Sequence, residues 1–156
     1  MPHAKKCDLY FCDAAKSDRL KFIELFDKSF IYDSEKSYIG FLHANADRVK
    51  LVSVVSDLRR NGIACFSVPI AYRDHETISM ETALDLATKH AKTFGASVAI
   101  SARHQKAPPV FWAFDLIPGN AEAEKSGGVV MIDRLDGHVW TYSEYEEYLY
   151  DYNNVL

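Results

Sequence analysis

The chain has 156 residues, which is enough for one domain or for two small lobes that share a core. Apolar residues make up 48% and charged residues 26%, a balance that is typical of globular proteins and excludes disorder of the whole chain. The net charge of −4 and the absence of a concentrated basic stripe exclude a general nucleic-acid coat protein.

The first half of the chain alternates between strand and helix patterns. Apolar runs of four to eight residues predict strands, and apolar residues every three to four positions predict helices. The predicted elements are a strand at 7–12, a helix at 18–29 after Ser17, a strand at 38–43, a helix that Asn45 caps and Asn61-Gly62 ends, and a strand at 63–70. Residues 38–70 therefore form a β-α-β unit.

The second half begins with the clearest helix of the chain. Its one-sided apolar stripe predicts a helix over 80–94 that Ser79 or Thr77 caps and Gly95 ends. Strands are predicted at 97–103, 109–117, 129–132 and 138–142, with a two-residue hairpin turn at Asp136-Gly137. Ser143 then caps a short helix that runs to Tyr152, and Glu146 completes a capping box.

These elements predict an α+β fold. The expected order is a β-α-β unit, then a helix packed on a mostly antiparallel four-stranded sheet, then a short C-terminal helix. The polar segment at 73–76 is the best candidate boundary. We therefore expect an N-terminal α/β lobe at 1–75 and a helix-plus-sheet lobe at 76–156, which could also form one compact domain.

The three cysteines, Cys7, Cys12 and Cys65, are too few and odd in number for a disulfide framework, and they suit a reducing compartment. The first residues lack the apolar run of a signal peptide, and no apolar stretch reaches 18 residues. The expected location is therefore the cytoplasm, without membrane contact.

Motifs for catalysis are missing. The glycine pair Gly127-Gly128 precedes a strand rather than a helix, and the six histidines are scattered, so we expect no cofactor and no metal. Cys65 lies in an apolar run that is typical of a core cysteine. Asp115 comes closest to a carboxylate in an apolar setting, but strand alternation predicts that it faces solvent. The expectation is a protein that is not an enzyme.

The end of the chain is acidic and rich in tyrosine. Six basic side chains fall within residues 1–28, whereas no Lys or Arg follows Arg134, and five of the nine tyrosines lie between 142 and 152. Helical spacing places Tyr145, Tyr148, Leu149 and Tyr152 on one face, which could dock on the sheet. The outward residues form either a solvated helix face or a binding surface. The candidate partner-binding residues are Asp136, Glu144, Glu146, Glu147, Tyr150 and Asp151, with the loop at 121–128 as a second contact.

The run from Met80 to Tyr148 resembles the YrhB-like domain of bacterial immunity proteins, the immunity protein 35 family. The resemblance is carried by the helix around 82–87, the aromatic strand at 110–114, and the strand, turn and return strand at 129–139. It covers under half of the chain. It implies a small cytoplasmic protein that binds and neutralises a toxin delivered between competing bacteria, and it supplies no catalytic residue.

The residues themselves leave three classes of function open. An acidic, aromatic surface without a catalytic motif suits an inhibitor of a basic toxin protein. A small-molecule-sensing or regulatory α+β domain is the alternative, and it would need a pocket of several hundred cubic ångströms lined by aromatic side chains. An enzyme would need clustered His, Cys and carboxylate side chains in a cleft.

Overall fold

The computed structural model describes residues 6–119 and 128–155. The chain divides into two compact units: Met1–Asp74 with Tyr142–Leu156 form unit 1, and His75–Thr141 form unit 2. Both units combine helices with antiparallel strands, so the predicted α+β fold class is confirmed. The C-terminal helix belongs to unit 1, whereas the sequence analysis grouped it with the second lobe.

Unit 1 is built on a four-stranded antiparallel sheet with β1 (Lys6–Ala15) in its middle. β2 (Tyr38–Phe41) and β3 (Ala46–Asp47) pair with β1 on one side, and β4 (Cys65–Pro69) pairs with it on the other. Because β2 and β4 are both antiparallel to β1, they run parallel to each other. The β-α-β unit that the sequence predicts is therefore present, with β1 between its two strands.

The first helical segment of unit 1 is a 3₁₀ helix at Asp18–Leu25 rather than the longer helix predicted over 18–29. Its buried residues, Leu20 and Ile23, are three positions apart, which is the repeat that a 3₁₀ helix places on one side. Ser17 caps it as predicted, because its hydroxyl oxygen accepts a hydrogen bond from the Arg19 N–H.

Helix α1 (Arg48–Arg60) buries four apolar residues at helical spacing: Leu51, Val54, Val55 and Leu58. Its N-cap is Asp47, whose carboxylate accepts a hydrogen bond of 3.0 Å from the Val49 N–H, so the predicted cap at Asn45 is wrong. Asn61 ends the helix as predicted. The short helix α2 (Ala71–Asp74) follows β4, and the terminal helix α4 spans Tyr142–Asn153. Ser143 thus lies within α4 rather than at its cap.

In unit 2, α3 (Met80–Lys92) packs on a sheet whose strand order is β5-β6-β7. The strands are β5 (Ser97–Ala99), β6 (Phe111–Ile117) and β7 (Gly128–Asp133), and all pairings are antiparallel. Ser79 caps α3 as predicted. The small residues Ala83 and Ala87 bring the helix close to Phe114, Val130 and Ile132, which form the core.

The last predicted strand of unit 2, at 138–142, is reduced to a single bridge between Ile132 and Val139. The sheet that α3 covers therefore has three strands instead of four. The hairpin itself is present, but its loop has four residues, 134–137, closed by a hydrogen bond of 2.9 Å from the Asp133 N–H to the His138 carbonyl. Gly137 adopts a φ of 77°, which a residue without a side chain tolerates best.

Candidate partner-binding surface

Helix α4 is anchored in unit 1 along the edge of β4 that faces away from β1. The Tyr148 hydroxyl donates a hydrogen bond of 2.7 Å to the Ser67 carbonyl, and the Asn153 amide oxygen accepts one of 2.7 Å from the Ser67 N–H. Among the strands that the structure describes, β4 pairs with β1 alone. The two side chains therefore bind the N–H and C=O groups of Ser67, which would otherwise be available for pairing with another strand.

Further contacts fix the position of α4. The Tyr148 and Tyr152 rings are buried and lie 5.4 Å apart, which confirms that this face of the tyrosine-rich segment docks in the interior. Arg48 donates a hydrogen bond of 2.6 Å to the Asp151 carbonyl, and its guanidinium lies 5.4 Å from the centre of the Tyr152 ring. Burial raises the pKa of Tyr148 far above its usual range, so its hydroxyl remains a donor.

The opposite face of α4 carries the predicted partner-binding residues. Glu146 and Glu147 are exposed, and Tyr150 is 54% exposed. Glu144 and Asp151 are half-buried at the margins of the same helix. No Lys or Arg lies in α4, so its outward charge is wholly negative. We call Glu146, Glu147, Tyr150 and their exposed neighbour Tyr142 the α4 face.

The sixth predicted residue, Asp136, belongs to unit 2 and lies in the hairpin loop after β7. It is exposed, and its carboxylate accepts a hydrogen bond of 2.9 Å from the His138 N–H. Burial opposes ionisation of Asp136, but the hydrogen bonds from the His138 backbone and ring outweigh it and hold its pKa below the usual value. The predicted second contact at 121–128 lies outside the described residues, except for Gly128, which begins β7.

The same loop brings together ligand atoms of Asp133, Asp136 and His138 within 4.8 Å of one another. This is the group of described side chains that could hold a cation. The Asp133 oxygens already accept hydrogen bonds of 2.8 Å from the Leu135 N–H and the Trp140 indole N–H, which organise the turn. The hydrogen bonds therefore account for the cluster as a scaffold of the hairpin, and we assign no metal to it.

A buried carboxylate escaped the sequence analysis. Asp8 is fully buried in β1, and burial raises its pKa, so Asp8 rather than Asp115 is the carboxylate in an apolar setting. Its oxygens accept hydrogen bonds from Arg73 and from the backbone N–H groups of Leu9, His43 and Ala44. The hydrogen bonds from His43 and Ala44 fix the loop after β2, where His43 has a φ of 63°. The signal in the sequence is a lone acid within an apolar strand.

The two residues considered for catalysis, Cys65 and Asp115, make contacts that stabilise the fold. Cys65 is buried, and burial raises the pKa of its thiol to about 12, which leaves the reactive thiolate scarce at neutral pH. Asp115 does not simply face solvent as predicted: it is half-buried and accepts hydrogen bonds from Arg103 at 2.6 Å and from the His104 ring at 2.9 Å. These bonds tie the segment after β5 to β6.

The described residues of unit 1 line open grooves that include three of about 310, 440 and 220 Å³. The first lies between the 3₁₀ helix and α1, the second beside the 3₁₀ helix, and the third between α1 and the end of α4. Charged and aliphatic side chains line them together with a few aromatic rings. Aromatic rings are a minority of the lining in each of these three grooves.

Comparison with known proteins found no match: no family model fits the chain, and no curated protein or solved structure is significantly similar to it. Among the described residues, none of the helices has the length and apolar character needed to cross a membrane.

Proposed function

We propose that this chain is an immunity protein of the cytoplasm, which binds a basic toxin protein and neutralises it. The observation that carries the proposal is the two-sided character of α4. One side is fixed to the edge of β4 by Tyr148 and Asn153, and the other presents Glu146, Glu147 and Tyr150 without an intervening cation. A toxin is proposed as the partner because residues 80–148 resemble the immunity protein 35 family in sequence pattern; no family model matches the chain.

The electrostatics of the α4 face suit a basic partner. A cluster of carboxylates raises the rate at which a basic protein is captured and disfavours acidic competitors. Tyr150 adds a large ring with few rotors to freeze, and such residues often dominate the binding energy of an interface. Because α4 is already ordered by its buried side, little conformational entropy is lost when the exposed side is bound.

One helix is too small to form the whole interface. A stable complex buries about 1,200–2,000 Å² in total, which is more than the outward side of a 12-residue helix offers. Asp136 and the loop at 121–128, which belong to unit 2, are proposed as a second contact of their own. Glu144 and Asp151 would lie at the rim, because both are half-buried by α4's own surroundings.

The test is to replace Glu146, Glu147 and Asp151 together with alanine and to measure affinity for a candidate basic toxin at two salt concentrations. We expect a slower association rate and weaker binding at low salt, with the difference shrinking as salt rises, because screening weakens exposed charges. Tyr150→Ala is expected to act mainly on the dissociation rate, since it removes a packed ring.

A matched control replaces Glu76, Glu81 and Asp85, three exposed acids of unit 2, with alanine. This control lowers the negative charge of the protein without touching α4. If the α4 variant and the control bind the toxin equally well at low salt, the α4 face is only a solvated helix surface and the proposal fails.

A further inference from the structure

A second surface of unit 1 has the opposite character to the α4 face. Around the 3₁₀ helix, three large apolar side chains are exposed: Phe22 by 55%, Leu25 by 68% and Ile31 by 80%. Leu25 and Ile31 line the groove of about 440 Å³, and Phe22 lines the groove of about 310 Å³. Clustered apolar exposure of this kind marks an interaction site more often than chance. We call Lys21, Phe22, Leu25, Lys28 and Ile31 the basic face.

The charge that this face offers to a partner is positive. The acids of the neighbouring segment are engaged in local hydrogen bonds: Asp18 accepts one of 2.9 Å from the Tyr32 hydroxyl, and Glu24 accepts one of 2.7 Å from the Tyr32 N–H. Asp27 accepts hydrogen bonds from Ser29 and from the Asn45 N–H. Lys21 and Lys28 are exposed beside the apolar residues.

The 3₁₀ helix and the end of α4 lie on opposite flanks of α1 within unit 1. Residues 53, 54, 57 and 60 of α1 line its groove with the 3₁₀ helix, whereas residues 56, 59 and 60 line its groove with the end of α4. On a helix of 3.6 residues per turn, these two sets point to the two flanks of the exposed side. The outermost part of α1 carries Val49, which is 67% exposed. The order of helices across this layer is therefore 3₁₀ helix, α1, α4.

We infer that the basic face binds the α4 face of a second copy of this chain. A two-fold axis running along α1 exchanges the two flanks of the layer, so each basic face meets the partner's α4 face. Because such an interface is reciprocal, the contact is made twice, with Val49 near the axis. Lys21 and Lys28 then face Glu146 and Glu147, and Tyr150 approaches the groove between Leu25 and Ile31.

Size supports a two-fold arrangement over a single contact. One 3₁₀ helix against one α-helix falls short of the roughly 1,200–2,000 Å² that a specific interface buries. Two such contacts and the exposed strip of α1 between them extend over a whole layer of unit 1. Opposite charges at both ends of the layer fix the register and disfavour a shifted pairing.

The test is sedimentation equilibrium of the purified chain at about 0.05 M and about 0.5 M salt, since added salt shortens the range of exposed charges severalfold. We expect a dimer that weakens with salt. Lys21→Glu with Lys28→Glu, and separately Glu146→Lys with Glu147→Lys, should each raise the dissociation constant by at least about tenfold at low salt. An equimolar mixture of the two variants should regain the dimer, because both contacts of the mixed pair are again of opposite charge.

Matched controls reverse the same number of charges on α3: Lys89→Glu with Lys92→Glu, and Glu81→Lys with Asp85→Lys. Both controls should dimerise like the original chain. Ile31→Ser provides a variant without charge change. It should weaken the dimer because it removes an apolar side chain from the basic face. Folding should tolerate it, because Ile31 is 80% exposed.

A chain that is monomeric throughout the concentration series overturns the inference, as does a mixture of reversed variants that stays monomeric. If the monomer instead binds vesicles containing phosphatidylserine and loses that binding in the Lys21 and Lys28 variant, the basic face is a lipid-binding surface. None of these measurements involves the toxin, so their failure leaves the proposed function standing.

Discussion

Removal of one hydroxyl group should destabilise unit 1, because Tyr148 satisfies a backbone carbonyl at the edge of its sheet. Tyr148→Phe keeps the ring, its packing on Tyr152 and the helix propensity nearly unchanged. The Ser67 carbonyl, which receives a hydrogen bond of 2.7 Å, loses its donor in a fully buried position. An unsatisfied buried polar group costs about 1–3 kcal/mol, so we expect the free energy of unfolding to fall by that amount.

The partner substitution Asn153→Ala acts on the same residue from the other side. It removes the acceptor of the Ser67 N–H at 2.7 Å and should cost about 1–3 kcal/mol for the same reason. Because both side chains bind one peptide segment of β4, the double variant should lose less than the sum of the two single losses. Once one substitution has separated α4 from the edge of β4, the second substitution removes a hydrogen bond that is already weakened.

Urea unfolding followed by circular dichroism and thermal melting measures these effects. A loss of 1 kcal/mol shifts the melting temperature by about 2–4 °C in a protein of this size. Hydrogen exchange of the Ser67 amide reports the site directly, since the Asn153→Ala variant should exchange it much faster. The control is Tyr150→Phe, which removes a hydroxyl from the exposed face and should change stability by less than about 0.5 kcal/mol. If Tyr148→Phe unfolds at the same urea concentration as the original chain, the edge is not held by this bond.

Two further predictions concern ionised groups outside α4. Asp8→Ala removes one partner of the buried ion pair with Arg73 and should lower the free energy of unfolding in urea by about 3–5 kcal/mol. Asp57→Ala breaks the exposed pair with Arg19 and should lower it by no more than about 1 kcal/mol. Equal losses of stability would contradict the burial of the Asp8 pair. Hydrogen bonding to His104 lowers the pKa of Asp115 in the folded state below its ordinary 3.8, so the stabilisation is complete above that value and is lost as the pH falls through the lower, folded pKa. Asp115→Asn should therefore flatten the acid side of a melting-temperature profile, and an NMR titration that finds an ordinary pKa for Asp115 would contradict the ion pair.

The strands and helices were predictable because their apolar periodicity reflects burial directly. Residues 51, 54, 55 and 58 of α1 and the alanines of α3 repeat at helical spacing because each set faces one core. One error falls where a single polar contact decides the outcome. Asp47 rather than Asn45 caps α1, because its carboxylate reaches the Val49 N–H, and both residues have the chemistry of a cap.

Local sequence patterns could not predict which unit α4 packs against. The sequence indicates a helix with one tyrosine-bearing face, but it does not state which sheet receives that face. The answer depends on Ser67, which lies 81 positions before Tyr148 and offers only backbone groups that every residue possesses. Long-range hydrogen bonds to the backbone leave no signal in the amino-acid composition, so the sequence could not predict that α4 belongs to unit 1. The outward acids were predictable, since exposure follows from the same helical period.

Both proposals use the outward side of α4, and this has a thermodynamic consequence. If the toxin and the second copy each cover Glu146, Glu147 and Tyr150, then one complex excludes the other. By linkage, dimer formation lowers the apparent affinity for the toxin by the factor by which the toxin weakens the dimer. Without toxin, the acidic helix would be covered by Lys21 and Lys28 of the other copy. A more basic toxin would then displace it, because the competition between two cationic surfaces for one helix is decided by the difference between their binding free energies.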